Sequence, residues 1–170
     1  MEYMDVYTSK KQKTTKVHSR DIPMNRDDYR FVVSVLIFNS SGELLIQKRQ
    51  STKKVWSNWW DYTAGGAVIE GEELYQAAER ELLEETGIVV DLKDTPSRLT
   101  VSFEEGWDEI YFVTKDVTLK ELDLQEEEVS EMKWVTEKEY LTMLSQNTFI
   151  PYIYAKSIFD FYRSQSEYLH

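Results

Sequence analysis

The stretch Gly66-Ala67-Val68-Ile69-Glu70-Gly71-Glu72-Glu73-Leu74-Tyr75-Gln76-Ala77-Ala78-Glu79-Arg80-Glu81-Leu82-Leu83-Glu84-Glu85-Thr86-Gly87-Ile88 decides the reading of this chain. Residues 72–86 predict a helix, with Gly87 following as a natural C-terminal cap. An α-helix turns about 100° per residue. With Glu81 as origin, Leu74 lies at roughly 20°, Ala78 at roughly 60° and Ala77 at roughly −40°; Glu85 falls at roughly 40° and Glu84 at roughly −60°. The stripe therefore starts apolar and ends in three carboxylates, Glu81, Glu84 and Glu85, on a face expected to pack on a sheet.

Like charges three and four residues apart on a helix repel, and burial adds a desolvation cost. A divalent hard cation such as Mg²⁺ offsets both, since it takes oxygen ligands and sits between carboxylates and phosphates. A solvated acidic face is the competing explanation of the spacing. The flanks favour a site. Gly65 and Gly66, expected at the end of a strand, let backbone approach a ligand or metal closely. Glu70-Gly71 turns the chain into the helix.

The acidity of the chain is concentrated. Residues 66–88 hold seven glutamates and one arginine, a net −6, and residues 120–131 carry −5. These two segments account for the whole net charge of −11 over 170 residues. Such a balance argues against a nucleic-acid surface, which needs clustered Lys and Arg. It leaves room for an anionic substrate held through metal ions. There is no cysteine, which excludes disulfides, thiolate metal sites and cysteine nucleophiles. The two histidines, His18 and His170, are a poor basis for a catalytic triad. No secretory h-region opens the chain. The apolar run 31–38 is far short of the roughly 20 residues of a membrane helix. The expectation is a cytoplasmic protein away from membranes. With 41% hydrophobic and 14% aromatic residues, the chain can bury a core.

Working outward, residues 1–29 are expected to be a solvated arm or first strand, with Lys10, Lys11, Lys13 and Lys16 as a solvated basic stretch. The domain proper is expected over 30–170. Residues 30–38 predict a buried strand, Asn39-Ser40-Ser41-Gly42 a turn, and 43–49 the returning strand. After an aromatic-rich stretch and the helix, strands are expected at 88–90, 99–103, 109–114 and 132–135. Thr136, with Glu139 three residues on, opens a second helix as a capping box. Residues 151–164, with Pro151 near the first position, predict a last helix. Alternating strands and helices imply one α/β domain, a mixed sheet between helices. Trp134 and the aromatics of 149–162 read as core or as a homodimer face.

The quoted stretch also resembles the Nudix box, G-x5-E-x7-R-E-U-x-E-E-x-G-U with U bulky and aliphatic. All nine specified positions are filled, by Gly66, Glu72, Arg80, Glu81, Leu82, Glu84, Glu85, Gly87 and Ile88. The resemblance implies an α/β/α sandwich and a Mg²⁺- or Mn²⁺-dependent hydrolase that cleaves a diphosphate linkage in a small phosphorylated substrate of the nucleoside diphosphate-X type. By position, Glu81, Glu84 and Glu85 are then the metal ligands, joined by the Gly66 carbonyl and by Glu72. Arg80 orients these glutamates. Glu84 or Glu81 takes the proton of the attacking water. Bases outside the box are sought among Glu104, Glu105, Glu109, Glu127 and Glu128, although a solvated role is the expectation for each.

Residues 44–66 resemble a subgroup near the isopentenyl-diphosphate isomerases, through Arg49, the Ser51–Lys54 loop and the spacing of Trp56 and Trp60. That isomerase needs a cysteine and a histidine where Ala64 and Gly66 stand here. Arg49, Lys53 and Lys54 are candidate phosphate contacts. Trp59, Trp60 and Tyr62 are candidates either for stacking on a flat group or for core. An isomerase-like enzyme and a non-catalytic nucleotide-binding regulator stand as alternatives to the hydrolase.

Overall fold

The computed structural model describes residues 2–165. In chain order its strands are β1 (Tyr3–Tyr7), β2 (Lys13–Ser19), β3 (Arg30–Phe38), β4 (Leu44–Arg49), β5 (Trp60–Asp61), β6 (Ala64–Ala67), β7 (Leu99–Phe103), β8 (Gly106–Thr114) and β9 (Val129–Val135). The α-helices are α1 (Leu74–Thr86), α2 (Glu137–Ser145) and α3 (Ile158–Ser164), with 3₁₀ turns at Leu119–Glu121 and Ala155–Ser157. The α/β class matches the expectation. The chain forms two compact units, residues 1–35 with 64–111, and residues 36–63 with 112–170. His170 lies outside the described residues.

In the first unit, β1 and β2 form an antiparallel pair in which Met4 faces His18. Residues 3–19 thus form a β-hairpin, with the apolar Met4 and Val6 buried. β3 pairs antiparallel with β6, setting Ser34 opposite Gly65 and Val33 opposite Gly66. β7 and β8 form a hairpin closed by Phe103 and Gly106. A Cβ on Gly106 would lie 1.8 Å from the Arg30 carbonyl oxygen, so only glycine fits there. α1 packs on β6 through Ala77 and Ala78, whose small side chains bring helix and strand close.

In the second unit, β4 pairs antiparallel with the end of β3, with β5 and with β9. A parallel bridge joins Trp60 to Phe149. Phe38 stacks on Tyr162 with ring centroids 3.8 Å apart. α2 opens on the expected box: Thr136 accepts from the Glu139 amide, and Glu139 accepts from the Thr136 amide.

Three expectations are corrected. α1 starts at Leu74, not at 72, because Glu72 is committed to the preceding loop (below). Residues 88–90 form no strand; the chain instead folds back so that the Leu92 amide donates to the Glu79 carboxylate at 2.6 Å. The last helix begins at Ile158, not at 151. Pro151 is disfavoured beside a helical neighbour, and the following residues spend themselves on the aromatic core, where Tyr152 stacks on Tyr62 at 5.1 Å. No helix among the described residues is long and apolar enough to cross a membrane.

Candidate functional site

The buried face of α1 comprises Ala77, Ala78, Glu81, Leu82, Glu85 and Thr86. Glu81 and Glu85 are one turn apart and each only 6% exposed. Glu84, by contrast, leaves 49% of its side chain exposed. The stripe expected from the wheel is therefore narrower: two carboxylates lie on the buried face, and the third stands at its rim, about 100° round from Glu85. Gly87 ends the helix as expected, with φ 75° and its amide on the Leu83 carbonyl at 2.8 Å.

Glycine makes the burial of Glu81 feasible. A Cβ on Gly66 would lie 2.2 Å from Glu81 Oε1, so the carboxylate occupies space that any other residue would fill. The neighbouring Gly65 amide points at Glu85 Oε2, 3.4 Å away. Strand β6 is thus the floor on which both carboxylates rest.

Arg80 ties the cluster together. Its Nε and Nη2 grip Glu72 at two points, 2.7 and 3.0 Å. Nη2 also donates to the Ala67 carbonyl at 3.0 Å. Nη1 donates to Glu81 Oε1 at 2.8 Å and to Glu84 Oε2 at 3.2 Å. Glu72 in turn accepts from the Ile69 amide at 3.1 Å, which fixes the loop before the helix. Burial pushes the Glu81 carboxyl above its usual range, against the pull of Arg80. The surrounding carboxylates raise the Arg80 guanidinium further, so it stays charged.

Gly66, Glu72, Arg80, Glu81, Glu84 and Glu85 thus come together in one unit. The glutamates and Arg80 carry four negative charges and one positive. As arranged, no group of three His, Cys, Asp or Glu side chains among the described residues converges as a ready metal centre. The guanidinium sits between Glu72, Glu81 and Glu84. The donor chemistry nonetheless fits a hard divalent cation: carboxylate oxygens, a strand carbonyl, and negative charge in excess of the one arginine. Glu81, Glu84, Glu85, Glu72 and the Gly66 carbonyl are the groups that could hold it.

The candidate substrate contacts belong to the second unit. Arg49 faces Asp61 at 3.6 Å and donates from Nε and Nη2 to the Val55 carbonyl at 3.3 and 3.2 Å. Lys53 is paired with Glu128, which gives part of the second acidic segment a structural task. Lys54 is exposed, and Trp59 is half-buried, edge-on to Trp56 at 4.9 Å. Trp60 and Tyr62 are buried in packing.

Among the glutamates outside the box, Glu109 departs from its expected solvated role. It is buried and accepts from Ser97 and from Thr100, the latter at 3.0 Å. Two further acids, without a sequence motif of their own, are tied to this region. Asp108, on the opposite face of β8, accepts from Ser34 Oγ at 2.9 Å, and Ser34 is in register with Gly65. Asp5 reaches the loop before α1. The alternation of β8 was a usable signal for Asp108. No local pattern marks Asp5.

With this geometry in view, comparison with known proteins is specific. The NUDIX domain family matches residues 28–155. An uncharacterized Nudix hydrolase of Listeria monocytogenes is 42% identical over 160 residues, covering 94% of this chain and 95% of its own. The crystal structure of DR0079 from Deinococcus radiodurans superposes with a TM-score of 0.75 at 21% identity, over 94% of this chain and 98% of its own. The NUDIX domain of Shewanella oneidensis NrtR, complexed with ADP ribose, gives 0.60 at 16% identity, over 88% and 94%. At these identities the two structures speak to the fold alone.

Proposed function

Because the chain belongs to the Nudix hydrolase family, we propose that it is a Mg²⁺-dependent enzyme that cleaves the diphosphate linkage of a nucleoside diphosphate-X type substrate by attack of water on phosphorus. The observation that carries this reading is the cluster on α1: Glu81 and Glu85 held on the glycine floor of β6, and Arg80 joining Glu72, Glu81 and Glu84. A cluster that serves only stability has no use for three carboxylates on one arginine and a fourth, Glu85, one turn further along the helix. When bound, Mg²⁺ or Mn²⁺ supplies Lewis-acid neutralisation of diphosphate oxygens and eases deprotonation of water.

The chain's own groups divide the remaining work. Glu81, Glu84 and Glu85 hold the cation, with the Gly66 carbonyl and Glu72 in support. Arg80 orients Glu72 and Glu81 and is shielded from substrate by its own pairing. Glu84, the least buried, has the freedom to take a proton from the attacking water, with Glu81 as the second candidate. Arg49, Lys53, Lys54 and Trp59 are assigned to the phosphate and X moiety. The absence of a cysteine at Ala64 sets the isomerase aside, and an intact set of acids is more than a purely regulatory binding module requires. The acidic composition supports a small-molecule substrate rather than nucleic acid.

The test is phosphate release with and without Mg²⁺ over nucleoside triphosphates, ADP-ribose, dinucleoside polyphosphates, nucleotide sugars and isopentenyl diphosphate. ADP-ribose merits inclusion because a NUDIX domain of similar fold binds it. Metal-dependent turnover of one class is expected. No turnover anywhere in the panel would remove the hydrolase reading.

A further inference from the structure

We infer that the N-terminal hairpin is a working part of this site, with Asp5 as the positioning residue that sets the loop carrying Glu72. The inference rests on the hydrolase reading for its consequence, but its geometry stands apart from it. Asp5 is only 4% exposed, in a strand whose neighbours Met4 and Val6 are buried apolar residues. A carboxylate is costly there unless it is well partnered. Its Oδ2 accepts from Lys13 Nζ at 2.6 Å and from the Gly71 amide at 2.9 Å. The preceding loop amide, that of Glu70, donates to the Tyr3 carbonyl at 2.8 Å. Strand β1 therefore holds two successive amides of the loop, one through main chain and one through a charged side chain.

The loop needs this restraint. Gly71 turns in the left-handed region at φ 80°, where glycine is most free. The next residue is Glu72, whose two oxygens are both spent on Arg80. Arg80 passes the constraint to Glu81 and Glu84. A continuous chain of contacts thus runs Lys13–Asp5–Gly71–Glu72–Arg80–Glu81. Groups that orient ligands of a metal site are typically worth about 10- to 100-fold in affinity or activity.

The experiment uses the full chain and compares Asp5→Ala, Asp5→Asn and Lys13→Met. Three quantities are read: amide exchange at Gly71, the NMR signal of Arg80 Nε–H, and the dissociation constant of Mn²⁺ alone. Asp5→Ala should speed Gly71 exchange about tenfold or more, shift or broaden the Arg80 Nε–H signal, and weaken Mn²⁺ binding about 10- to 100-fold. Asp5→Asn, which keeps an acceptor for Gly71, should recover most of all three. Faster Gly71 exchange with an unmoved Arg80 signal and unchanged Mn²⁺ binding would overturn the inference and leave the hairpin a stability element. If Asp5→Ala does not fold, Lys13→Met decides: a smaller shift of the Arg80 signal in the same direction supports the inference, and no shift overturns it. If the wild-type chain takes up no Mn²⁺, the metal reading fails, while the Gly71 and Arg80 signals still judge the clamp.

Discussion

Two arginines, one in each unit, differ in how far the acid around them matches their charge. Their exposure is alike, 21% of the Arg80 side chain and 23% of Arg49. Their company differs. Arg49 faces the single carboxylate of Asp61, which is also served by the Tyr152 hydroxyl and the Tyr62 amide, each at 2.8 Å. Arg80 is shared by Glu72, Glu81 and Glu84, with Glu85 one turn further along the same helix. A fold seeking only stability matches its buried charges, because an unmatched one is expensive. Around Arg49 one carboxylate faces one guanidinium, and neutral donors complete the hydrogen bonds of Asp61, whereas around Arg80 acid is in excess. A surplus of acid on a half-buried face is what a cation-binding function requires.

The sharpest way to break this contrast is Arg80→Ala. It strands Glu72 and Glu81 without their cation, and should cost about 3–5 kcal/mol in urea unfolding. Arg80→Lys should recover only part, since an ammonium cannot grip Glu72 at two points. Should Arg80→Ala cost no more than Arg49→Ala, the two arginines are equivalent and the contrast fails. Next in size, Glu84→Gln should lower kcat by about 100-fold or more if Glu84 is the base, with little loss of stability because the side chain is half exposed. Unaltered turnover would move the base to Glu81. Third, Gly66→Ala should cost about 1–3 kcal/mol through the clash with Glu81, and the pairing of Glu81 to Arg80 should be lost from the Arg80 NMR signals.

The smallest effect concerns Asp61. Burial pushes its carboxyl above the usual range, more than the Tyr152, Tyr62 and Arg49 contacts pull it down. An acid that binds its proton more tightly folded than unfolded loses stability as pH rises above its unfolded value of about 3.9. Asp61→Asn should remove this downward slope from the stability–pH curve. A slope that persists in the variant would assign it to another group.

Much of the first unit was legible locally. Helix α1, its Gly87 cap and the spacing of its acids follow from short-range periodicity. In the second unit the capping box that opens α2 at Thr136 is equally local, since cap and partner are three residues apart. What failed did so where long-range contacts outweigh local pattern. Glu72 reads as the first helical residue, yet Arg80 and Ile69 draw it into the loop. Ile88 to Val90 read as a strand but have no ladder to join. Glu109 reads as a surface acid, but Ser97 and Thr100 supply the donors that let it be buried. The basic stretch around Lys13 reads as solvated, yet Lys13 neutralises a buried acid eight residues away.

The amino-acid sequence by itself determined which residues gather on one helix face, because a 3.6-residue period places side chains without reference to the rest of the chain. It also determined where that helix stops and how the acids on it are spaced. Only the tertiary structure decided that Gly66 yields its side-chain space to Glu81, that Glu84 stands at the rim, and that Asp5 reaches across 66 residues to the loop before the helix. Those outcomes depend on which strand lies under the helix and which hairpin lies beside its loop. Both are set by burial of apolar surface over the whole unit, so no local window records them.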